Sequence, residues 1–338
     1  MRGIEDLRAA LEALPFGLDD VSVQFAQAAV ASYPGGFRPS SVVTLIGGGL
    51  RGLGEHVGWT NEEHASFRDN IASCKAALTS RRGASSAPAE HLSLGEWIAT
   101  LSALPAYDRA ALEAAAIDLA LQQQGSNLFA MAGVAPAPVR YVVSFARVED
   151  PVAEVTSQEP GDIELKIDAD SAWPDSVYRR LAQIGRVAVL DFKLQGAAAD
   201  YERACCLLPD AWIEDPKPDE SAWSPSLLAR WSADAVVSTA AAMETLVPRP
   251  AAINVKPARM GSVLDAITCL ARCRALGIST YIGGMFEIGV GRSQLRVLAA
   301  LACPDGPNDI APLDAERRRP PRLFVHGDEP GFSAGDPP

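Results

Sequence analysis

The stretch Val187 to Pro216, VAVLDFKLQGAAADYERACCLLPDAWIEDP, constrains the fold more than any other. An apolar run meets Asp191 and Lys193, a helical segment follows, and a second apolar run meets Glu214, Asp215 and Pro216. The pattern predicts a strand, a helix and a strand. Such a crossover sets the two strands parallel and side by side, with their C-terminal ends opening on the same side of the sheet. Asp191, Lys193 and Glu214 are therefore expected on one face. Carboxylates there can hold a hard cation through oxygen, and a lysine beside them can move a proton once its charge is destabilised.

The same texture recurs from Val139 onward. RYVVSF (Arg140 to Phe145), IELKID (Ile163 to Asp168), VAVLDFK, AWIE, AVVS (Ala235 to Ser238), AAINVK (Ala251 to Lys256), STYIGG (Ser279 to Gly284) and a weaker DIAP (Asp309 to Pro312) alternate with helical segments such as DSVYRRLAQIG, LLARW, GSVLDAITCLARCRALG and GRSQLRVLAALA. Eight strands separated by helices or short connections predict an α/β chain closing into a compact (β/α)8 barrel, somewhat shorter than the roughly 250 residues typical of that fold. Before it, residues 1–60 read as a helix and a hairpin. The GxGxxG at Gly47, Gly49 and Gly52 lacks the apolar helix and crossover that a dinucleotide loop needs, so a turn is expected and no cofactor-binding loop is assigned. Arg81 to Glu90 reads as a loop, and Asp108 to Gln124 as a helix so rich in alanine that a neighbouring helix can approach closely.

Composition narrows the partners. A formal net charge of -12 over 338 residues disfavours nucleic acid and anionic membranes, which leaves small molecules. MRGIEDLRAALEALPF has no apolar signal core, and no run approaches the roughly 20 apolar residues that span a bilayer. Six cysteines without metal-ligand spacing read as reduced and structural, which with the rest points to the cytoplasm. The four histidines, including His56 in GEHVGW near a loop that overhangs the site, show no ligand spacing.

Barrel enzymes place their chemistry at the C-terminal ends of the strands. That rule selects Lys166 and Asp168 on the second strand, Asp191 and Lys193 on the third, Glu214 on the fourth and Ser238 on the fifth. Lys256, with Arg259 beyond it, follows on the sixth, Gly284 and Glu287 on the seventh, and Asp305, Asn308 and Asp309 on the eighth. The turn from Gly283 and Gly284 through Glu287 into a helix at Gly291 could hold a substrate anion, or could simply be tight. Asp191 and Glu214 could equally form an ion-paired network with Lys193 and Lys166.

Three segments carry a family resemblance: RAALEAAAIDLALQQQGSNLFAMAG, WIEDP and INVKPARMGSVLDAI. In that order and spacing they resemble the enolase superfamily, nearest its muconate-lactonizing and o-succinylbenzoate-synthase branch. The resemblance implies a modified TIM barrel (137–321) under an N-terminal α+β capping domain (1–136), with a tail (322–338) that returns to the cap and ends in disorder. It also implies a lyase or isomerase in which Mg2+, held by three carboxylates, stabilises the enediolate formed when a base takes the proton beside a carboxylate. Asp191 and Glu214 match two of the metal ligands, and Lys256 matches the sixth-strand acid/base lysine.

Three departures stand out. The second strand ends Lys166-Ile167-Asp168 in place of Lys-x-Lys, Lys193 stands where an asparagine is usual, and AVVS offers Ser238 where a third acid belongs. Asp168 is expected to make up the metal set, to act as a base or to partner a lysine. Lys256 opposite Lys193 or Lys166 forms the expected acid/base pair, with Arg259, Gly284 and Glu287 toward a small carboxylate substrate. The alternative is a divergent barrel that lost the metal and works without it or only binds. Homo-oligomerisation is left open.

Overall fold

The computed structural model describes the chain apart from residues 1–2, 31–32, 34, 85–91, 158–161, 218–222, 314–317, 319, 327–329 and 334–338, with backbone alone at 77–84. Seven strands lie in chain order in one curled parallel sheet: Val142–Phe145, Glu164–Asp168, Val187–Asp191, Trp212–Glu214, Trp231–Ala233, Ala252–Val255 and Ser279–Ile282. Helices connect them on the outside, as an all-parallel sheet with both faces covered requires. The ring closes where Asn308 bridges Tyr141 and Asp309 bridges Gly283. The buried Asn308 side chain does the lacing, accepting from Ile282 N and donating to the carbonyls of Arg140, Cys303 and Gly306. The weak eighth strand is thus two bridge residues and one amide.

The fifth strand departs from expectation. AVVS is a turn ending in an exposed bend at Ser238, and the strand is Trp231–Ala233, which begins at the last residue of LLARW, the segment expected to be helical. All three of its residues are buried, so nothing alternates. At three residues it is too short for periodicity to separate from the preceding turn.

Ahead of the barrel, Asp20–Ala29, Phe37–Gly47 and Leu50–His56 form an antiparallel sheet that turns at Gly48 and Gly49, whose φ values are +60° and +80°. The glycine motif is a hairpin, as expected. Gly52 and Gly54 face the alanine-rich helix Ala106–Gln123, where added Cβ atoms would lie 2.1 Å from Ala115 O and 2.0 Å from Ala111 O. The small helix side chains therefore let a strand approach on this face, while the helices Leu94–Ala99 and Pro257–Met260 also pack against the same helix. The helix Asn61–Ala84 runs into the stretch expected as a loop, whose remainder lies outside the described residues.

Cap and barrel meet through buried polar groups. Arg38, fully buried, donates to the carbonyls of Val57 and Gly58 in the cap and of Met285 and Phe286 after the seventh barrel strand. Glu55 accepts from Ile288 N, Gly289 N and Gly291 N at the start of the helix Val290–Ala302. Glu113 accepts from Ser262 Oγ and Leu264 N at the start of the helix Val263–Leu276. Both carboxylates lie where unpaired N–H groups and the helix dipole favour negative charge. In the tail, Arg322–Leu323 pairs with Val139–Arg140 at the start of the barrel, and Ser333 N donates to Asp118 in the cap. The end of the tail lies outside the described residues.

Burial pushes the Glu113 carboxyl from an ordinary 4.5 up to about 7 against the hydrogen bonds of Leu264 and Ser262. The unfolded chain therefore releases this proton first, and the group's contribution to stability falls as pH rises from 4.5 through 7. Glu113→Gln keeps the acceptor and removes the titration. Its unfolding midpoint should lose this part of the pH slope, on the order of 2–3 kcal/mol between pH 4.5 and 7.5. Wild-type and variant curves running parallel across that range would contradict this account.

Candidate active site

The strand register sets Asp168, Asp191 and Glu214 level across three neighbouring strands. Asp234 completes the group from the end of the fifth strand. Its place is fixed by Asp215, whose carboxylate accepts from Asp234 N and Ala235 N. Ligand atoms of Asp191, Glu214 and Asp234 all lie within 4.8 Å of one another, and all three side chains are buried. Asp168, expected to make up for a missing acid, stands outside this cluster and pairs with Lys193 at 3.2 Å. Ser238 has no part in it. Asp234 was missed because its strand was missed; the signal was the acid ending WSAD, twenty residues after Glu214.

Four cations meet these acids. Lys166 Nζ lies 3.1 Å from Asp191, bonds Glu214 and is 3.6 Å from Asp309. Lys193 bonds Asp191. Lys256 reaches Asp234 at 2.8 Å, and Arg259 bonds the other oxygen of Asp234. Exposure separates the lysines: the Lys166 side chain is 1% exposed and that of Lys193 42%. The Lys256 side chain lies between them at 8%, so Lys193 is the most open of the three lysines and Lys166 the one that is sealed. The backbone of Lys193 and that of Leu194 take φ values of 51° and 58°, left-handed conformations that cost a non-glycine residue roughly 1–2 kcal/mol. The turn is bent so that the side chain folds back over Asp191.

Burial by itself would raise Asp191, yet Lys166 and Lys193 hold its carboxyl well below the ordinary range. Asp234 is lowered in the same way, burial being overcome by Lys256, Lys166 and Arg259. Glu214 is pushed up, burial outweighing the Lys166 charge. Burial opposes the charge on Lys166, but Glu214, Asp191 and Asp309 outweigh it and keep the ammonium charged. Lys193 is raised by Asp191 and Asp168 against burial and the Lys166 charge.

Below the cluster, Asn254 Nδ2 approaches Glu214 Oε1 at 3.4 Å, while Asn254 Oδ1 is buried without a partner. The clustered oxygens are hard donors of the kind that Mg2+ and related divalent ions take, so the residues fit such an ion.

The seventh-strand turn holds its own anion. Glu55 occupies the helix N-terminus expected to receive a substrate anion, and Glu287, buried, accepts from Met285 N inside the turn. Gly284 lies against that same carboxylate. Gly284 and Glu287 therefore build the turn, and of the expected substrate contacts Arg259 alone touches the cluster. His56 does not overhang the site either: it is buried in the cap, with Nε2 on Asp108 and Nδ1 facing His64.

These features define a fold of the enolase superfamily. The chain is similar to a dipeptide epimerase from Methylococcus capsulatus solved with a Mg ion (TM-score 0.72, 21% identity, covering 95% of this chain and 100% of that one). It is also similar to a muconate lactonizing enzyme from Klebsiella pneumoniae (TM-score 0.70, 16% identity, covering 94% and 96%). In sequence, an N-succinylamino acid racemase from Amycolatopsis sp is 27% identical over 172 residues, 49% of this chain and 41% of that protein, so the match spans less than half of the relative. The chain belongs to the family described as domain of unknown function DUF8230, whose N-terminal and C-terminal domain models match residues 9–131 and 135–316.

Gly283 makes room for the site. A Cβ there would lie 2.2 Å from Asn254 Oδ1 and 2.7 Å from Lys256 Cε. Gly283→Ala should therefore push Lys256 off Asp234 and cost about 1–3 kcal/mol, the range for overpacking a filled core, measured from the denaturant midpoint. An unchanged midpoint would show that the lysine has slack.

Proposed function

We propose that this protein is an enzyme that removes the proton α to the carboxylate of a small substrate and returns one to the same carbon, as a racemase or epimerase does. The observation that carries the reading is the row of three buried carboxylates from consecutive strands, flanked by Lys193 at one end and Lys256 at the other. Asp191, Glu214 and Asp234 would hold Mg2+. The ion supplies positive charge beside the substrate carboxylate, which acidifies the neighbouring C–H.

The side chains supply the rest. Lys256, from the sixth strand, and Lys193, bent back from the third, face the substrate position from the two ends of the carboxylate row, so one can take the proton and the other deliver one. Lys166 is sealed beneath them. Its role is to offset the charge of Asp191 and Glu214, and it moves no proton. Asp168 holds Lys193 in place, standing where the resemblance expects a second lysine. Arg259, bound to Asp234 and partly exposed, is positioned to meet the substrate carboxylate. The names of the similar proteins favour dipeptides and N-acylamino acids as the first substrates to try. The alternative of a barrel that had lost its metal site was motivated by Ser238 and by the altered second strand; Asp234 offers a third acid, which leaves the second strand as its one motive.

Exchange of the α-hydrogen with solvent tests the reading without knowledge of the product. A panel of dipeptides and N-succinylamino acids incubated in D2O with protein and Mg2+ should gain α-deuterium on at least one member, followed by NMR. Lys256→Ala and Lys193→Ala should each slow that exchange by roughly 10²–10⁴-fold, the usual contribution of a positioned acid or base. Exchange that persists in both variants would remove the lysines from the mechanism, and no exchange on any member would remove the substrate class.

A further inference from the structure

A second set of polar side chains, buried inside the barrel, bears on the carboxylate row from below. Tyr281, on the seventh strand and 1% exposed, reaches across the interior to place its hydroxyl 2.5 Å from Glu214 Oε2. Ser232, on the fifth strand and level with Glu214, places its Oγ 2.7 Å from the same hydroxyl. We infer that Ser232 and Tyr281 form a one-way hydrogen-bond relay that fixes Glu214 as a one-oxygen ligand for the divalent cation. This rests on the proposed function above.

The direction of the relay follows from proton counting. A carboxylate that binds a cation carries no proton and can only accept, and a tyrosine has one O–H. That proton goes to Glu214, so the serine must donate to the tyrosine oxygen. A hydroxyl that itself receives a hydrogen bond is a stronger donor, because chains of such bonds polarise one another.

The consequence for Glu214 is geometric. An ionised carboxylate offers about four lone-pair positions. On Oε1, Lys166 Nζ and Asn254 Nδ2 take two; on Oε2, Tyr281 takes one. One position on Oε2 is left for a cation, and Tyr281 decides where it points. Without the phenol, Oε2 has two open positions and the carboxylate can pivot about the held Oε1, so that Oε2 no longer points to one place. Tyr281 and Ser232 act through Glu214 and are positioning residues.

Titration of the metal-stripped full-length protein with Mn2+ tests this by calorimetry, with Glu214→Gln as the control for site occupancy. Tyr281→Phe, which keeps the packed ring, should weaken Mn2+ binding by about 10–100-fold, as loss of a group orienting a metal ligand does. Ser232→Ala should weaken it by less than tenfold. The double variant should bind no more weakly than Tyr281→Phe alone, because the serine acts only through the phenol. Thermal unfolding of each variant without metal shows whether the barrel is intact; a merely structural tyrosine would change that midpoint and leave the affinity alone. Wild-type affinity in Tyr281→Phe, with binding abolished in Glu214→Gln, would overturn the relay and leave the metal reading standing. Additive losses in the double variant would overturn the direction of the relay. A wild-type protein with no Mn2+ binding that Glu214→Gln removes would overturn the metal reading, and the relay with it.

Discussion

Charge taken out of water must be balanced where it stands, and the mouth of this barrel depends on that condition. Asp191, Glu214 and Asp234 are all buried within a few ångströms of one another. Left unpaired, each would carry a desolvation cost of several kcal/mol. Lys166, Lys193, Lys256 and Arg259 supply the counter-charge, each from a different place in the chain. The acids come from the third, fourth and fifth strands, and the cations from the second, third and sixth strands and the turn that follows the sixth. The balance therefore exists only when these strands lie in order, and the charges that serve the site also specify the register of the sheet.

The mouth is held in shape by backbone as well as charge. Lys193, Leu194, Asp215 and Phe286 all have positive φ, and all lie just beyond a barrel strand. Such conformations persist where surrounding bonds over-determine them. Asp215 illustrates this: its N–H donates to Ser232 O and its carbonyl accepts from Leu194 N, while its carboxylate accepts from Asp234 N and Ala235 N. One strained residue thus ties the third, fourth and fifth strand ends together.

Much of this was legible in the sequence. WIEDP and INVKP mark strand ends because a charge abruptly stops an apolar run, and the alternation of runs and helices announced the barrel. The fifth strand was illegible because Trp231–Ala233 gives no alternation and adjoins a segment that looks helical. The substitution of Lys193 for an asparagine was visible, but its fold-back onto Asp168 needed two left-handed residues that no composition rule calls for. Glu55, Glu113 and Arg38 escaped because each has backbone partners more than a hundred residues away. A carboxylate in an edge-of-cap strand looks like any surface acid until the helix it meets is in place.

The placement of Glu55 and Glu113 has a bearing on how chains of this architecture can change. Two successive barrel helices receive part of their N-terminal capping from another module of the same chain. A cap exchanged for that of a relative would have to bring a carboxylate to both helix starts, or leave buried N–H groups without acceptors. Cap loops that make no such contact can vary freely under this constraint, whereas the cap as a unit cannot be traded. Diversification is thereby directed into the loops, and recombination at the junction between cap and barrel is penalised.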